Sequence, residues 1–318
     1  MIVDTLARRG EQGEAVHTTH GWRIAYALPA PPPLVSLVIP TRDRVELLRA
    51  CIDSVRAHTD YPALEIVIVD NDSRDPAAVA YLAELARTGA ARVVPYPHAF
   101  NYAAQCNLGA REARGDVVAL VNNDIEATEK GWLRELVSLA ARPGVGLVGA
   151  TLRYPDATLQ HAGVILGLNG VGDRPWIGTP PGYAGPYGRA LATREMAAMI
   201  TACAVVMRER YWAAGGMDES LPVSCNDLDF CLRLTRAGLR NLVTPHAVLV
   251  HHESASRGLA DDPENARRSA EEEALFAARW PQALADDPWY NPNLALAGSA
   301  YALAWPPRVR RPLSAGVP

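Results

Sequence analysis

The chain has 318 residues, 49% of them apolar, which is enough to bury the core of one large domain or two small ones. Its formal charge of −4 excludes a general attraction to nucleic acid, although Arg308, Arg310 and Arg311 form a small basic group near the C-terminus. Its five cysteines are odd in number and lie mostly in apolar segments, so we expect reduced thiols and no disulfide framework.

Membrane and targeting signals are weak in this sequence. The N-terminus lacks the apolar segment of a signal peptide, and the longest apolar run, residues 197–207, is too short to span a bilayer. We therefore expect a cytoplasmic protein with no transmembrane segment, and with at most peripheral association at the inner face of the cytoplasmic membrane.

The N-terminal third opens with a polar and then proline-rich extension, residues 1–33, which favours an extended lead-in rather than a helix. LVSLVI (34–39) and EIVIV (65–69) are β-branched runs typical of strands buried on both faces. Apolar residues at helical spacing lie between them, and Asp43 with Glu46 resembles a capping box. This pattern predicts a β-α-β unit.

The alternation of strand and helix patterns predicts an α/β fold with a largely parallel sheet. Strand signals stop after about residue 255, where a charged helix near residues 263–280 begins a tail, 256–318, that we expect to be an appendage. We predict further strands at 92–94, 117–121, 145–150 and 202–207, and further helices near 76–87, 101–113, 131–141, 208–214 and 227–237.

Polar residues follow three of the predicted strands. Thr41 and Asp43 come after the first, Asp70 opens the Asp-Asn-Asp-Ser run after the second, and 122–124 (Asn-Asn-Asp) follows the strand at 117–121. Asp43 could instead cap its helix, and Asp72 with Ser73 could shape a turn. Because ligands bind at the carboxyl ends of parallel strands, three such ends together favour a binding site.

Two later segments carry further candidate residues. In CNDLDFCLR, Asp227 falls in the first turn of a predicted helix, so it could simply stabilise the helix N-terminus instead of serving a site. Asp229 and Arg233 form an i,i+4 pair on one face of the same helix. In LVHHES, His251 and His252 end an apolar run. Histidine beside strand-end carboxylates can complete a site for Mn²⁺ or Mg²⁺.

Two other patterns are rejected. Gly144, Gly146 and Gly149 have the dinucleotide-binding spacing but lie within a predicted strand rather than between a strand and a helix. Cys225 and Cys231 are too far apart in sequence for the usual zinc-binding pair, and core packing suits Cys231 better.

The ordered set of motifs resembles glycosyltransferase family two, of GT-A fold, and within it the bacterial members that build O-antigen, capsule or rhamnose-containing chains. The resemblance covers about residues 22–307 and implies a Rossmann-like sheet flanked by helices. It suggests a catalytic domain at 34–255, with a nucleotide-sugar half (34–125) and an acceptor half (126–255). The motifs are VSLVIPTRDRVELLRACIDSV, EIVIVDNDS, FNYAAQCNLGAREARGDVVALVNND, YPDATLQHAG, GGMDE, NDLDFCLR, VHHESASRG and DPWYNPNL.

The resemblance implies specific roles. Asp124 matches the last carboxylate of the family's Asp-x-Asp motif, which holds Mn²⁺ or Mg²⁺ against the diphosphate of a nucleotide-sugar, and His251 would complete that metal site in preference to His252. Asp227 matches the general base of an inverting transfer to a sugar hydroxyl. The residues implied to bind the UDP- or dTDP-linked donor are Thr41, Asp70, Asn107, Asn122, Asn123 and Asp124.

The sequence departs from the family pattern twice. Asn122 stands in place of the first acidic residue of the metal motif, which removes a charge but leaves a group that can bond a ribose hydroxyl. Asn226 stands in place of the usual Glu beside the base, which removes a negative charge that would raise the pKa of Asp227.

The acceptor would be a glycan or a lipid-linked glycan. Residues 154–187 lack clear periodicity, as functional lids often do, so His161, Asp173 and Trp176, together with Asp229, are candidates to contact it. Each could equally be structural, for example as part of a surface loop with a buried Trp.

Two other functions remain open at this point. A sugar-phosphate nucleotidyltransferase shares a related fold but normally begins with a glycine-rich basic loop, and IPTRDR has no glycine. The other alternative is a non-catalytic nucleotide- or glycan-binding module. The presence of Asp124, Asp227 and His251 argues against it.

Overall fold

The structure, a computed structural model, describes residues 1–253 and 263–309. The end of the VHHESASRG motif and two of the three basic residues near the C-terminus, Arg310 and Arg311, lie outside the described residues. Within the described part of the chain, no helix has the length and apolar character needed to cross a membrane. All five cysteines are buried free thiols.

The N-terminal extension is folded, so the prediction of an extended lead-in without a helix was wrong. A short helix, α1 (Ile2–Arg8), precedes an antiparallel hairpin of β1 (Gly13–Thr18) and β2 (Gly21–Tyr26). Two ion pairs join it to the main domain, Arg23 to Glu135 at 2.7 Å and Glu11 to Arg142 at 2.8 Å. These partners lie more than 100 residues away, which is why the local pattern did not reveal them.

Strands and helices alternate through the first half of the main domain, as the apolar periodicity predicts. Every residue of the strands at Val35–Thr41 and Val117–Val121 is buried, whereas the edge strand at Arg92–Pro95 is only partly buried. The elements are β3 (Val35–Thr41), α2 (Val45–His58), β4 (Leu64–Asp70), α3 (Pro76–Arg87), β5 (Arg92–Pro95), α4 (Tyr102–Glu112) and β6 (Val117–Val121).

The second half contains the remaining predicted elements together with short strands that the sequence pattern did not indicate. A kinked 3-10 segment spans Pro186–Leu191. The elements are β7 (Ile125–Ala127), α5 (Trp132–Ala140), β8 (Val145–Arg153), β9 (Leu159–His161), β10 (Ile165–Leu166), β11 (Gly172–Asp173), β12 (Arg194–Glu195), β13 (Cys203–Met207), α6 (Arg208–Ala213), α7 (Asn226–Arg236) and β14 (Arg240–His251).

A mostly parallel sheet organises the molecule, with main-path order β12-β14-β8-β13-β6-β3-β4-β5. β13 is antiparallel to both its neighbours, while β14 is parallel to β8 and the block from β6 to β5 is parallel throughout. Alternate residues of a strand serve opposite faces, so Leu37 packs with α2, α3 and α5, and Val38 packs with α4 and α7. The predicted α/β class is confirmed.

The C-terminal segment is part of the main domain, so its description as an appendage was wrong. The predicted charged helix is present as α8 (Pro263–Arg279) and is followed by α9 (Pro281–Ala285). Phe276, Trp280 and Tyr290 are buried in the core on the α4 and α7 side of the sheet. The strand signals do stop, but apolar and aromatic residues of the tail complete that core.

Candidate active site

A cavity of about 270 Å³ opens at the carboxyl end of β3. Thr41 and Asn123 lie in its wall, and the Asn123 side-chain amide donates a hydrogen bond to the Thr41 hydroxyl at 3.0 Å. Asp70 ends the neighbouring strand in register with Thr41 but is not in the cavity wall. The lining residues are Pro40, Thr41, Arg42, Asp43, Arg44, Phe100, Tyr102, Gln105, Asn122 and Asn123.

Asp43 does not cap α2, contrary to the capping-box interpretation. The residue before α2 is Arg44, which makes no side-chain cap. The Asp43 carboxylate instead accepts hydrogen bonds from the backbone N–H groups of Arg74 and Asp75, at 2.7 and 2.8 Å, and these bonds lower its pKa. The Ser73 hydroxyl donates to the Asp70 carboxylate at 2.5 Å, and no turn is assigned at Asp72 and Ser73. Together these bonds join the loops after β3 and β4.

A larger cleft, of about 410 Å³, adjoins the first cavity, since Tyr102 and Asn122 line both. Its wall contains Asp124, His251 and Asp227. Asp124 lies more than 100 residues before the other two in the sequence. Asp173 also lines it. The structure therefore gathers the candidate metal ligands and the candidate base around one space.

Strand register explains why Asp124 meets His251. After the Asn-Asn-Asp run, β7 pairs antiparallel with β14, and Ile125 lies opposite His251. This pairing places the two side chains together, with His251 Nε2 3.1 Å from Asp124 Oδ1. Both residues are buried, at 3% and 6% exposure. His252 faces Glu126 instead, at 3.0 Å, because successive side chains on a strand point to opposite faces.

The Asp124–His251 pair has the donor atoms and spacing for a divalent cation. Two ligands held at right angles, each at about 2.1 Å from an ion, lie about 3.0 Å apart. Among the described residues, no group of three or more His, Cys, Asp and Glu side chains is placed to hold a metal. Two protein ligands suit an ion that shares the remaining positions with phosphate and water, as Mg²⁺ commonly does.

Asp227 enters the cleft from the first turn of α7. Cys225, just before the helix, has a left-handed backbone with φ of 59°, which turns the chain sharply into the helix. The Asp227 carboxylate accepts a hydrogen bond from the Leu228 N–H at 2.8 Å. Asn226 is buried, and its side chain donates to the Leu221 carbonyl at 3.1 Å, which holds the preceding loop. The Asp227 carboxylate, positioned in this way in the cleft wall, can accept a proton from a bound hydroxyl.

The family model for glycosyl transferase family 2 matches residues 36–212, which is more than half of the chain. The chain belongs to glycosyltransferase family 2. It is 42% identical over 276 residues to the uncharacterized protein y4gI of Sinorhizobium fredii, and 37% identical over 298 residues to the O-antigen biosynthesis protein RfbC of Myxococcus xanthus. These matches cover 86% and 93% of this chain but span only 30% and 23% of those relatives.

Two solved structures share the fold of this family 2 chain. The mannosyltransferase PcManGT from Pyrobaculum calidifontis, in complex with GDP-Man and Mn²⁺, gives a TM-score of 0.57 at 22% identity, covering 78% of this chain and 64% of that one. GalNAc-T7 with UDP, GalNAc and Mn²⁺ gives 0.64 at 16% identity, covering 84% and 51%. The predicted GT-A fold is confirmed.

Asn107 lies away from both cavities, so its implied contact with the nucleotide finds no support in the geometry. Its carbonyl oxygen accepts from the Tyr211 hydroxyl and the Met217 N–H, and its NH₂ group donates to the Met217 carbonyl and to Glu219. This family 2 chain uses Asn107 to hold the GGMDE loop against α4.

Three of the four acceptor candidates are not in the cleft wall. Asp229 is 0% exposed and bonds Arg233, as its spacing predicts, as well as Arg279 and Trp280. Burial and nearby Arg side chains hold the pKa of His161 well below its usual range. Trp176 stacks on Tyr301 with ring centroids 5.1 Å apart. These contacts indicate structural roles for His161, Trp176 and Asp229, whereas Asp173 lies in the cleft wall and stays a candidate to contact the acceptor.

Several residues of the cleft were not predicted from the sequence. Tyr102 donates to the Asn122 side-chain oxygen at 3.1 Å, and burial raises the Tyr102 pKa well above its usual value, so the hydroxyl stays protonated. The Asn122 amide is therefore held at the boundary of the two cavities. The sequence signal for Tyr102 is weak: it directly follows Asn101, which caps the helix α4. The other missed lining residues with charged groups are Arg174, Glu253 and Glu273.

Proposed function

We propose that this chain is a metal-dependent inverting glycosyltransferase that moves a sugar from a nucleoside-diphosphate donor to a hydroxyl of a growing bacterial surface glycan. The observation that supports this most strongly is the meeting of Asp124, His251 and Asp227 around one cleft. The adjoining cavity, with Thr41 and Asn123 in its wall, suits the nucleoside.

The proposed chemistry is a single displacement. Asp227 takes the proton of the acceptor hydroxyl as its oxygen attacks the anomeric carbon, which inverts the configuration. Asp124 and His251 would hold Mn²⁺ or Mg²⁺, which neutralises charge on the departing diphosphate when bound. The Mn²⁺ present in both structural neighbours supports this dependence.

The substrate classes rest on the relatives. The Myxococcus xanthus relative is named for O-antigen biosynthesis, which supports a glycan or lipid-linked glycan of the O-antigen or capsule type as the acceptor. The neighbours hold GDP-Man and UDP, which supports a nucleotide-sugar donor. We propose a UDP- or dTDP-linked sugar as the donor, with the reaction at the cytoplasmic side of the membrane.

A panel of nucleotide-sugars tests the donor and the cation together. Thermal unfolding is followed with each compound, with and without Mn²⁺, because a ligand at about 100 times its Kd stabilises the native state by about 2.7 kcal/mol. We expect at least one compound to raise the Tm only when Mn²⁺ is present, and Asp124→Asn to abolish that rise. Equal stabilisation in a chelator would contradict the metal site.

A further inference from the structure

Gln160 is a buried side chain whose hydrogen bonds are directed at His251. It is 0% exposed and lies in β9, at a register irregularity in the pairing with β8: Leu152 faces His161, yet Arg153 faces Leu159. Gln160 is thus the extra residue of a bulge, and bulges redirect side chains, frequently beside active sites. Its amide oxygen lies 2.7 Å from His251 Nδ1, and its amide nitrogen donates to the His251 backbone carbonyl at 3.1 Å.

These two contacts determine the orientation of both side chains. A backbone carbonyl only accepts hydrogen bonds, so the NH₂ group of Gln160 must face the His251 carbonyl and its oxygen must face Nδ1. An amide oxygen also only accepts, so Nδ1 of His251 must carry a hydrogen. In the neutral imidazole, Nε2 then has the lone pair, and Nε2 is the nitrogen 3.1 Å from Asp124 Oδ1.

We propose that Gln160 is a positioning residue that selects the Nδ1–H tautomer of His251 and aims Nε2 at the cation. The proposal rests on the proposed function, because it gives the Asp124–His251 pair its metal-binding form. A metal-ligating His normally donates its other N–H to a neighbouring acceptor, which fixes the ring and the tautomer. Here a side chain 91 residues away supplies that acceptor.

Two variants separate the acceptor function of Gln160 from its bulk. Gln160→Leu removes both hydrogen bonds, whereas Gln160→Glu keeps an oxygen facing Nδ1. Thr151→Val is a matched control, because Thr151 is also buried and its hydroxyl donates to the Thr244 carbonyl, at 3.0 Å, rather than to His251.

Mn²⁺ binding is measured directly, from the electron paramagnetic resonance signal of free Mn²⁺ in a titration of each full-length variant. We expect Gln160→Leu to weaken binding by about 10- to 100-fold. Gln160→Glu keeps the acceptor for Nδ1 but loses the donor to the His251 carbonyl, so it should weaken binding less than Gln160→Leu does, and Thr151→Val should stay within about threefold of wild type. Unchanged binding in Gln160→Leu, or an equal loss in the Thr151→Val control, overturns the proposal. An equal loss in Gln160→Glu also overturns it.

The tautomer is read from ¹⁵N-histidine NMR of the Asp124→Ala protein at mildly alkaline pH, where no carboxylate faces Nε2, with His251 assigned through His251→Gln. We expect the Nδ1–H form in this protein and a mixture of forms when Gln160→Leu is added; an Nε2–H form in Asp124→Ala overturns the proposal. Asp124→Asn distinguishes the proposed metal site from the proposed role of Gln160. If wild type and Asp124→Asn bind Mn²⁺ equally, the metal site is contradicted as well. If Asp124→Asn loses Mn²⁺ affinity but Gln160→Leu does not, only the role of Gln160 is contradicted.

Discussion

At the residue scale, polar side chains in this chain act through partners distant in sequence. Asp124, His251 and Asp227 could be selected from the sequence because each belongs to a recognisable motif, and the structure brings them together. The partners of Asn107 and Asp43 could not be predicted, because they come from residues 211–219 and 73–75. Residue type and local spacing do not reveal which segments will meet.

Asp43 should contribute to stability in a pH-dependent way. Backbone hydrogen bonds lower its folded pKa, so its contribution is complete above the ordinary Asp pKa and is lost as the pH falls through the folded pKa. We expect Asp43→Asn to lower the free energy of unfolding at pH 7, with the difference from wild type shrinking below about pH 4. Chemical denaturation over that pH range measures it.

Asp53→Asn is the control for this experiment, because Asp53 is exposed on α2. A deficit in Asp43→Asn that stayed constant down to pH 3 or so would show that the Asp43 charge has no role in the loop.

At the element scale, the long helices and buried strands were predictable because their apolar periodicity is strong. The short strands from β9 to β12 were not, since two or three residues carry no period. α8 was predicted as a helix, but its contacts were not. Its Glu272, 5% exposed, accepts hydrogen bonds from the N–H groups of Val223 and Ser224 at 2.9 and 2.6 Å. α8 therefore holds the loop that leads to Asp227.

Loss of the hydrogen bonds that Glu272 accepts from the loop before Asp227 should impair catalysis as well as stability. We expect Glu272→Ala to lower the free energy of unfolding by about 2 kcal/mol or more, because two N–H groups lose a charged acceptor. The kcat should fall at least about tenfold, because small displacements of catalytic groups are costly. Denaturant unfolding and steady-state kinetics measure the two effects.

Glu271→Ala is the matched control, since Glu271 is exposed on the same helix and pairs only loosely with Arg267, at 3.9 Å. Equal effects of the two substitutions would mean that α8 does not position the loop before Asp227.

At the scale of the whole molecule, the C-terminal segment and the irregular middle segment form one body with the sheet. Asp287 accepts a hydrogen bond from the Leu166 N–H at 2.9 Å, and Trp176 stacks on Tyr301. The sequence indicated a boundary near residue 255 because strand patterns stop there. It could not show that later apolar residues complete an existing core, since such contacts have no local signature.

Trp176 should therefore act on stability and not on the acceptor. We expect Trp176→Ala to lower the free energy of unfolding by about 1 to 2 kcal/mol, because the ring is only half-buried and loses its stacking on Tyr301, and to leave the acceptor KM nearly unchanged. Trp305→Ala is the control, because Trp305 is 94% exposed and should cost less than about 0.5 kcal/mol. A tenfold rise in acceptor KM with unchanged stability would return Trp176 to the acceptor site.

The central claim, that Asp227 is the base of a transfer reaction supported by a donor site at Asp124 and His251, is tested most directly by Asp227→Asn. Its kcat should fall about 10²- to 10⁴-fold, while Mn²⁺-dependent donor binding, measured by calorimetry on the same preparation, stays within about threefold of wild type. A loss of donor affinity as large as the loss of rate, or transfer at the wild-type rate, would contradict the account.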